Sequence, residues 1–352
     1  MSVAPFVEAR LVSAVVDRYH ALRVKRVMTE TSDAISLVFD VPASLAEAFT
    51  YEAGQFVTLR VEIDGEPFFR SYSMSSSPAT DADLQVTIKR VPGGVVSNLL
   101  NDTVREGDLI DVSKPFGAFV LGATDDEVVA FAAGSGITPV FSVMKAALHT
   151  TSRNVRLLFA NRDRASAIFG DALDELVGKF PDRLVIRHHE DVVDGFVDSA
   201  AVAAFVGEPR GASFYVCGPT GFMDVVDTAL RELDVDEARI NIERFTPLGA
   251  APTDFDTTVE PIKVTVTVRG QTKTVDQRGR STILQSARWG GLPAPSSCEA
   301  GHCATCMARV VEGRVEMATN DALSVEEVSE GWVLTCQAVP VSPVGCWGRI
   351  GC

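Results

Sequence analysis

Basic charge is scarce in this chain: 32 lysines and arginines face 47 aspartates and glutamates, for a net charge of −15. A protein that binds nucleic acid neutralises phosphates with clustered basic residues, so a nucleic-acid partner is not expected. The acidic surface would steer a partner protein carrying a basic patch, or serve only solubility. Long apolar runs are missing as well. The longest uncharged stretch, residues 128–144, is broken by Gly134, Gly136 and Pro139 and falls short of the about 20 residues that cross a bilayer. It reads as a buried strand, a turn and a helix start, and no membrane partner is expected. In the first 17 residues Glu8, Arg10 and Asp17 interrupt any positive region followed by an apolar core, so a secretory signal is not expected. Seven cysteines, an odd number, form no legible disulfide framework. Unpaired thiols suit reducing surroundings, and the expectation is a cytoplasmic protein.

Four of the seven cysteines form an array. Cys298, Cys303 and Cys306 are spaced C-x4-C-x2-C, and Cys336 follows 30 positions later. That is the plant-type ligand spacing for a [2Fe–2S] cluster. Thiolates so close in sequence come from a loop folded around an inorganic core, with small residues and Gly301 allowing its N–H groups to turn inward. Structural zinc is the competing ligand chemistry, but it usually takes two short C-x2-C hooks rather than a triplet and a single. His302, inside the loop, is expected to face solvent, since four thiolates complete the set.

A chain of 352 residues exceeds one core and predicts two or three domains. After an N-terminal extension, residues 1–19, alternating strands at 22–27, 35–39, 56–61 and 84–89 predict an antiparallel β-barrel or sandwich over 20–122. Over 123–245, apolar strands at 128–133, 155–160, 184–187 and 214–217 are each followed by a helical stretch, which predicts an α/β domain with a parallel sheet. Residues 246–261, with three prolines, read as a linker. The last segment, 262–352, opens with two alternating strands, at 262–268 and 272–275, and a short helix near 281–288 before the cysteine loop. The tail after Pro343 carries Gly345, Gly348 and Gly351, poor strand residues, so either a strand is missing there or the tail has an unusual role.

Three motifs carry chemistry upstream. In Arg70-Ser71-Tyr72-Ser73 an arginine offers bidentate phosphate binding, an aromatic two places on shares its strand face and packs on a flat ring, and a serine reaches a ring nitrogen. The segment from Lys89 to Ser97 places Gly93 and Gly94 before an apolar helix start, whose free N–H groups would receive pyrophosphate oxygens; a plain turn before a helix is the alternative. Gly134-Ser135-Gly136-Ile137-Thr138-Pro139 follows an apolar strand and opens a helix, as a dinucleotide loop does, without the third glycine of the common fingerprint. Cys217-Gly218-Pro219 ends a further strand at the same sheet edge; Cys217 could equally be a buried small hydrophobe.

Together these residues resemble the ferredoxin-NADP reductase superfamily in its three-domain form, with a plant-type β-grasp ferredoxin domain at the C-terminus. The likeness runs from about residue 22 to 343 and is nearest to reductase components of bacterial oxygenases, of the 3-ketosteroid 9α-hydroxylase and phenylacetyl-CoA epoxidase type. The resemblance implies that Arg70, Ser71, Tyr72 and Ser73 bind FAD, with Thr87, Ile88, Lys89, Gly93, Gly94, Val95, Val96 and Ser97 completing its site. It implies that Gly134, Gly136, Thr138, Pro139, Arg162, Cys217, Gly218 and Pro219 bind the nicotinamide coenzyme. Ser73 and Cys217 would line the reacting face, and Glu243-Arg244-Phe245 would end the reductase unit. Ala304 stands where the family commonly has glycine.

Such a chain would pass electrons from NAD(P)H through FAD and the cluster to a terminal oxygenase. Hydride brings two electrons and the cluster accepts one, so a flavin must convert between them. In Asn161-Arg162-Asp163-Arg164 the arginines suit a 2′-phosphate and the aspartate a ribose 2′-hydroxyl; the order resembles the steroid-hydroxylase reductases and points to NADH. His188 and His189 have no partner at ligand spacing. The alternatives are a reductase for another oxygenase, such as an aromatic-ring hydroxylase, a non-catalytic electron carrier, or a zinc-containing interaction module.

Overall fold

Residues 128 to 133 carry apolar side chains without polar alternation, the pattern of a strand covered on both faces. In the computed structural model they form such a strand, with Val128, Ala130 and Ala132 in one apolar cluster and Val129, Phe131 and Ala133 in another. The structure describes residues 18–208, 211–245, 262–299, 301, 303–320, 322–341 and 344–348. The N-terminal extension to residue 17, the linker at 246–261, His302 and residues 349–352 lie outside the described residues. Backbone contacts divide the chain into two units, one of Met1–His20, Thr58–Ser71 and Thr246–Cys352, the other of Ala21–Val57 and Tyr72–Phe245.

The antiparallel region contains β1 (Tyr19–Thr31), β2 (Ala34–Asp40), β3 (Phe56–Ile63), β4 (Glu66–Ser73), β5 (Leu84–Lys89), α1 (Val95–Thr103) and β6 (Leu109–Ser113). In β1 Leu22 and Val24 are buried while Arg23 and Lys25 are exposed, the period-2 pattern of a half-buried strand. Four strands run in the order β6-β1-β2-β5, with Val27 opposite Leu37 and Leu37 opposite Val86. After β5 the chain turns at Gly93, whose φ of 71° needs glycine, and enters α1.

The α/β domain follows with β7 (Glu127–Ala133), α2 (Ile137–Thr150), β8 (Val155–Asn161), α3 (Gly170–Lys179), β9 (Leu184–Glu190), α4 (Asp191–Asp194), α5 (Ser199–Val206), β10 (Ala212–Cys217), α6 (Thr220–Glu232) and β11 (Ile240–Glu243). All its strands are parallel, in the order β11-β10-β7-β8-β9. Helices α2 and α3 cover one face, α5 and α6 the other. The strand order reverses at β7, so a crevice is expected beyond the carboxyl ends of β7 and β10, the ligand position in open α/β sheets.

Helix α2 is tied to the segment before β5. Ser142 Oγ donates to the Ser76 carbonyl at 2.5 Å and accepts the Gly54 N–H at 3.1 Å. Lys145, with only 11 % of its side chain exposed, pairs with Asp81, which also accepts the Ser77 N–H at 2.7 Å. Burial pulls the Lys145 ammonium below its usual range, against the pull of Asp81.

The C-terminal domain comprises β12 (Lys263–Val268), β13 (Gln271–Asp276), α7 (Ile283–Trp289), β14 (Met307–Glu312), β15 (Val315–Met317), α8 (Val325–Ser329), β16 (Trp332–Leu334), β17 (Ala338–Pro340) and β18 (Val344–Gly348). Its sheet runs β13-β12-β18-β14-β16, with β15 and β17 paired separately. Helix α7 starts in a capping box, Thr282 Oγ1 accepting the Gln285 N–H and Gln285 Oε1 the Thr282 N–H. It packs Ile283 and Ala287 against Val264, Val266 and Val268 of β12. The tail expectation is corrected: residues 344–348 are the central strand, parallel to β12 and antiparallel to β14. Hydrogen bonding along both edges overrides the weak strand propensity of Gly345 and Gly348.

Removing the carboxylate that faces a buried ammonium leaves the charge uncompensated, and Asp81 is itself about a third exposed. Asp81→Ala is therefore expected to destabilise the protein by about 1–3 kcal/mol, between the exposed and buried limits. Lys145→Met should be close to neutral. Urea midpoints at unchanged slope measure both; equal losses for the two variants would contradict the charge argument.

Candidate flavin, nucleotide and cluster sites

The cluster loop is bent inward by its backbone. Glu299, Gly301 and Ala304 have φ of 51°, 87° and 55°, the left-handed region. Ala304 therefore holds a conformation that costs a non-glycine residue about 1–2 kcal/mol. The loop is held by its own domain: Arg288 forms a half-buried ion pair with Glu299 and donates to Ser296 Oγ at 2.8 Å. Gln337 Nε2 donates to the Glu299 carbonyl at 2.8 Å. The distant fourth cysteine returns through its neighbour Thr335, whose N–H and hydroxyl both donate to the Cys306 carbonyl, at 3.1 and 2.8 Å.

All four array cysteines are free thiols, three of them buried and Cys298 half-buried. They pair. Hydrogen bonding to Cys298, then burial, pushes the Cys303 thiol well above its ordinary range, and hydrogen bonding to Cys336, then burial, does the same for Cys306. Four thiolates cannot be ionised together here without cations among them, which is what iron supplies. Among the described residues no three His, Cys, Asp or Glu side chains are arranged to hold a single metal ion. The two sulfur pairs, 298 with 303 and 306 with 336, are the residues that would hold a [2Fe–2S] cluster.

On β4, Arg70 Nη1 donates to the Phe69 carbonyl at 2.7 Å, and the Ser71 hydroxyl lies 3.0 Å from Thr58 Oγ1 and 2.8 Å from Ser297 Oγ, the residue before Cys298. Ser73 is 3 % exposed and its Oγ has no hydrogen-bond partner among the described residues. A buried hydroxyl left in that state is costly, and a flavin ring nitrogen suits it. The implied set is not uniform. Thr87 spends its hydroxyl inside the protein on Ser36 and Ser75, at 2.7 and 2.9 Å, and Ile88 is fully buried. Lys89 pairs with Asp33 at 3.7 Å and brings Nζ to 3.8 Å from where a side chain on Gly134 would begin. At the next turn a Cβ on Gly94 would sit 2.7 Å from Ser97 Oγ, which accepts the Val91 N–H. Val96 is buried and Val95 exposed, and α1 begins without a side-chain cap, leaving its first N–H groups for an anion.

In the α/β domain the two coenzyme loops interlock. A Cβ on Gly136 would lie 2.1 Å from the Cys217 carbonyl oxygen, and one on Gly218 3.0 Å from Ala133 Cβ. Thr138 Oγ1 donates to the Ser135 carbonyl at 3.0 Å, Pro139 sits in the first turn of α2, and Pro219 heads α6. Cys217 is fully buried, and burial followed by the nearby Glu243 carboxylate pushes its thiol well up, so it is uncharged at neutral pH. At the end of β8 the buried Asn161 leaves Oδ1 without a partner among the described residues, an acceptor absent from the expected binding set although its neighbour Arg162 was in it. Arg162 pairs with Asp163 at 2.8 Å, and Arg164 with both oxygens of Asp174 at 2.8 and 2.9 Å.

Comparison with known proteins agrees with this arrangement. Residues 21–121 match the oxidoreductase FAD-binding domain, 131–228 the oxidoreductase NAD-binding domain, and 266–341 the 2Fe-2S iron-sulfur cluster binding domain. The chain belongs to the ferredoxin-NADP reductase superfamily in its three-domain form, and is a flavin-dependent NAD(P)H oxidoreductase of the FAD and [2Fe–2S] class. It is 40 % identical over 332 residues to the ferredoxin reductase component of the 3-ketosteroid-9-alpha-monooxygenase of Mycolicibacterium smegmatis, covering 91 % of this chain and 94 % of that one. The 1,2-phenylacetyl-CoA epoxidase of Escherichia coli has a component that is 32 % identical over 351 residues, covering 92 % of this chain and 96 % of that one. The fold matches the solved phthalate dioxygenase reductase with a TM-score of 0.62 at 23 % identity, over 95 % of this chain and 99 % of that one. No described helix is long and apolar enough to cross a membrane.

The loop contact at Gly136 sets a sharp steric test. Gly136→Ala should raise KM for the nicotinamide coenzyme about tenfold or more, roughly 1.4 kcal/mol, because the Cys217 carbonyl has to move. Gly178→Ala in α3, where a Cβ meets nothing within 4 Å, should leave it unchanged. Parent-like coenzyme kinetics in Gly136→Ala would contradict the interlock.

Proposed function

We propose that this chain is the reductase component of a bacterial oxygenase system, taking electrons from NADH and delivering them one at a time to a terminal oxygenase of the ketosteroid-hydroxylating kind. The reading is carried by one observation. A residue of the flavin motif, Ser71, touches the residue before the first cluster cysteine, Ser297, at 2.8 Å across 226 positions of sequence. The 40 % identity to a ketosteroid monooxygenase reductase component favours that acceptor class over the epoxidase one, at 32 %.

When bound, FAD supplies hydride acceptance and its conversion to single electrons, and the cluster supplies one-electron transfer. The residues bind and orient. Arg70 would hold the flavin phosphate, Tyr72 would pack on the ring, and Ser73 would give its unpaired hydroxyl to a ring nitrogen. Gly93, Gly94, Val95, Val96, Ser97 and Lys89 would surround the pyrophosphate with N–H groups and one cation. Gly134, Gly136, Thr138, Pro139, Cys217, Gly218 and Pro219 would shape the nicotinamide crevice, Cys217 as an uncharged wall. Cys298, Cys303, Cys306 and Cys336 would ligate the two irons. Asp163 pairs with Arg162 and Asp174 with Arg164, which leaves neither arginine unpaired for a 2′-phosphate; with the Asn161-Arg162-Asp163 order of the steroid-hydroxylase type, this favours NADH as the donor.

An anaerobic absorbance titration is expected to bleach flavin and cluster bands together with NADH and to need far more NADPH. In Cys306→Ser the flavin should still be bleached while oxygenase turnover stops. Flavin bleaching with no cluster band in the parent protein, or parent-rate turnover in Cys306→Ser, would contradict the reading.

A further inference from the structure

The array at residues 298–336 has a neighbour from far outside its own domain. Tyr19, at the start of β1, belongs to the same contact unit as the C-terminal domain. Its ring lies 5.5 Å from that of Phe69, and its hydroxyl is 3.5 Å from Thr305 Oγ1. Thr305 Oγ1 is in turn 3.2 Å from Cys303 Sγ. The preceding residue fixes the approach, since Arg18 donates to the Ala322 carbonyl and pairs with Glu327, both at 2.5 Å. Burial pushes the Tyr19 phenol far up, and the sulfurs of Cys303 and Cys298 add to the effect. The phenol O–H lies beside Thr305 Oγ1, one residue before Cys306.

We propose that Tyr19 is a positioning residue for electron transfer: acting through the Thr305 hydroxyl, it sets the reduction potential of the cluster held by Cys303. The inference rests on the reading of the four cysteines as cluster ligands. A free Cys303 thiol can donate to Thr305, but a cysteine bound to iron has no proton left to give. The hydrogen bond must then reverse. Thr305 donates its single O–H to Cys303 Sγ, which frees its lone pairs to accept from the Tyr19 O–H. A donor that itself accepts a hydrogen bond is polarised and donates more strongly. Hydrogen bonds to cluster sulfurs stabilise the extra negative charge of the reduced state and raise the potential. Tyr19 thus favours the arrival of an electron at the cluster, and the segment that carries it is β1 rather than the cluster's own domain.

The test is EPR-monitored redox titration of the cluster in the full-length holoprotein. Tyr19→Phe keeps the ring against Phe69 and removes only the hydroxyl. It should shift the one-electron equilibrium toward the oxidised cluster roughly two- to five-fold, part of one hydrogen bond, which is about 20–40 mV lower. Thr305→Val should shift it further, and Tyr19→Phe added to Thr305→Val should do nothing more, because the relay is already cut. An unmoved midpoint in Tyr19→Phe, or a full additive shift in the double variant, overturns the relay while leaving the cluster assignment intact. A parent protein without iron and sulfide overturns both.

Discussion

The constraint on which the rest depends is the gathering of four sulfur ligands from one loop and the distant turn that carries Cys336. Three of the four are buried, and hydrogen bonding to the neighbouring sulfur, then burial, pushes the Cys303 and Cys306 thiols toward the neutral form. The protein pre-forms this site through contacts that involve no metal. The Arg288–Glu299 ion pair anchors one end, Thr335 pins the Cys306 carbonyl at the other, and the left-handed turns at Glu299, Gly301 and Ala304 curve the chain between them. Four sulfurs gathered this closely could be ionised together only around cations, so ligand placement and cofactor chemistry point the same way.

The coenzyme end is built by a different principle. A parallel sheet whose order reverses at β7 leaves the loops after β7 and β10 side by side, and absent side chains let them touch. Gly136 and Gly218 are required by the space available rather than by backbone conformation. The acceptor of Asn161 and the hydroxyl of Ser73 are buried polar groups without a partner among the described residues. A ligand at either place would satisfy them.

Much of this was legible in the sequence because it lies in local pattern. Cysteine spacing, the strand-turn-helix context of Gly134 to Pro139 and the change from period-2 strands to alternating strands and helices are all short-range signals. The β18 strand was not legible: Gly345 and Gly348 have weak propensity, and only pairing with β12 and β14, far apart in sequence, makes residues 344–348 a strand. At Thr87 the sequence does not show which face of β5 the side chain takes; its hydroxyl bonds to Ser36 and Ser75. The contacts of Tyr19 with Thr305 and of Ser71 with Ser297 span 286 and 226 positions, and no sequence window contains them.

The central claim is that electrons entering as hydride leave through the cluster of the same chain. The most direct measurement is rapid-freeze EPR of the holoprotein after anaerobic mixing with one equivalent of NADH. The account predicts a reduced [2Fe–2S] signal that grows as the flavin bands recover from their initial bleaching. A cluster that stays EPR-silent while the flavin remains bleached would contradict it.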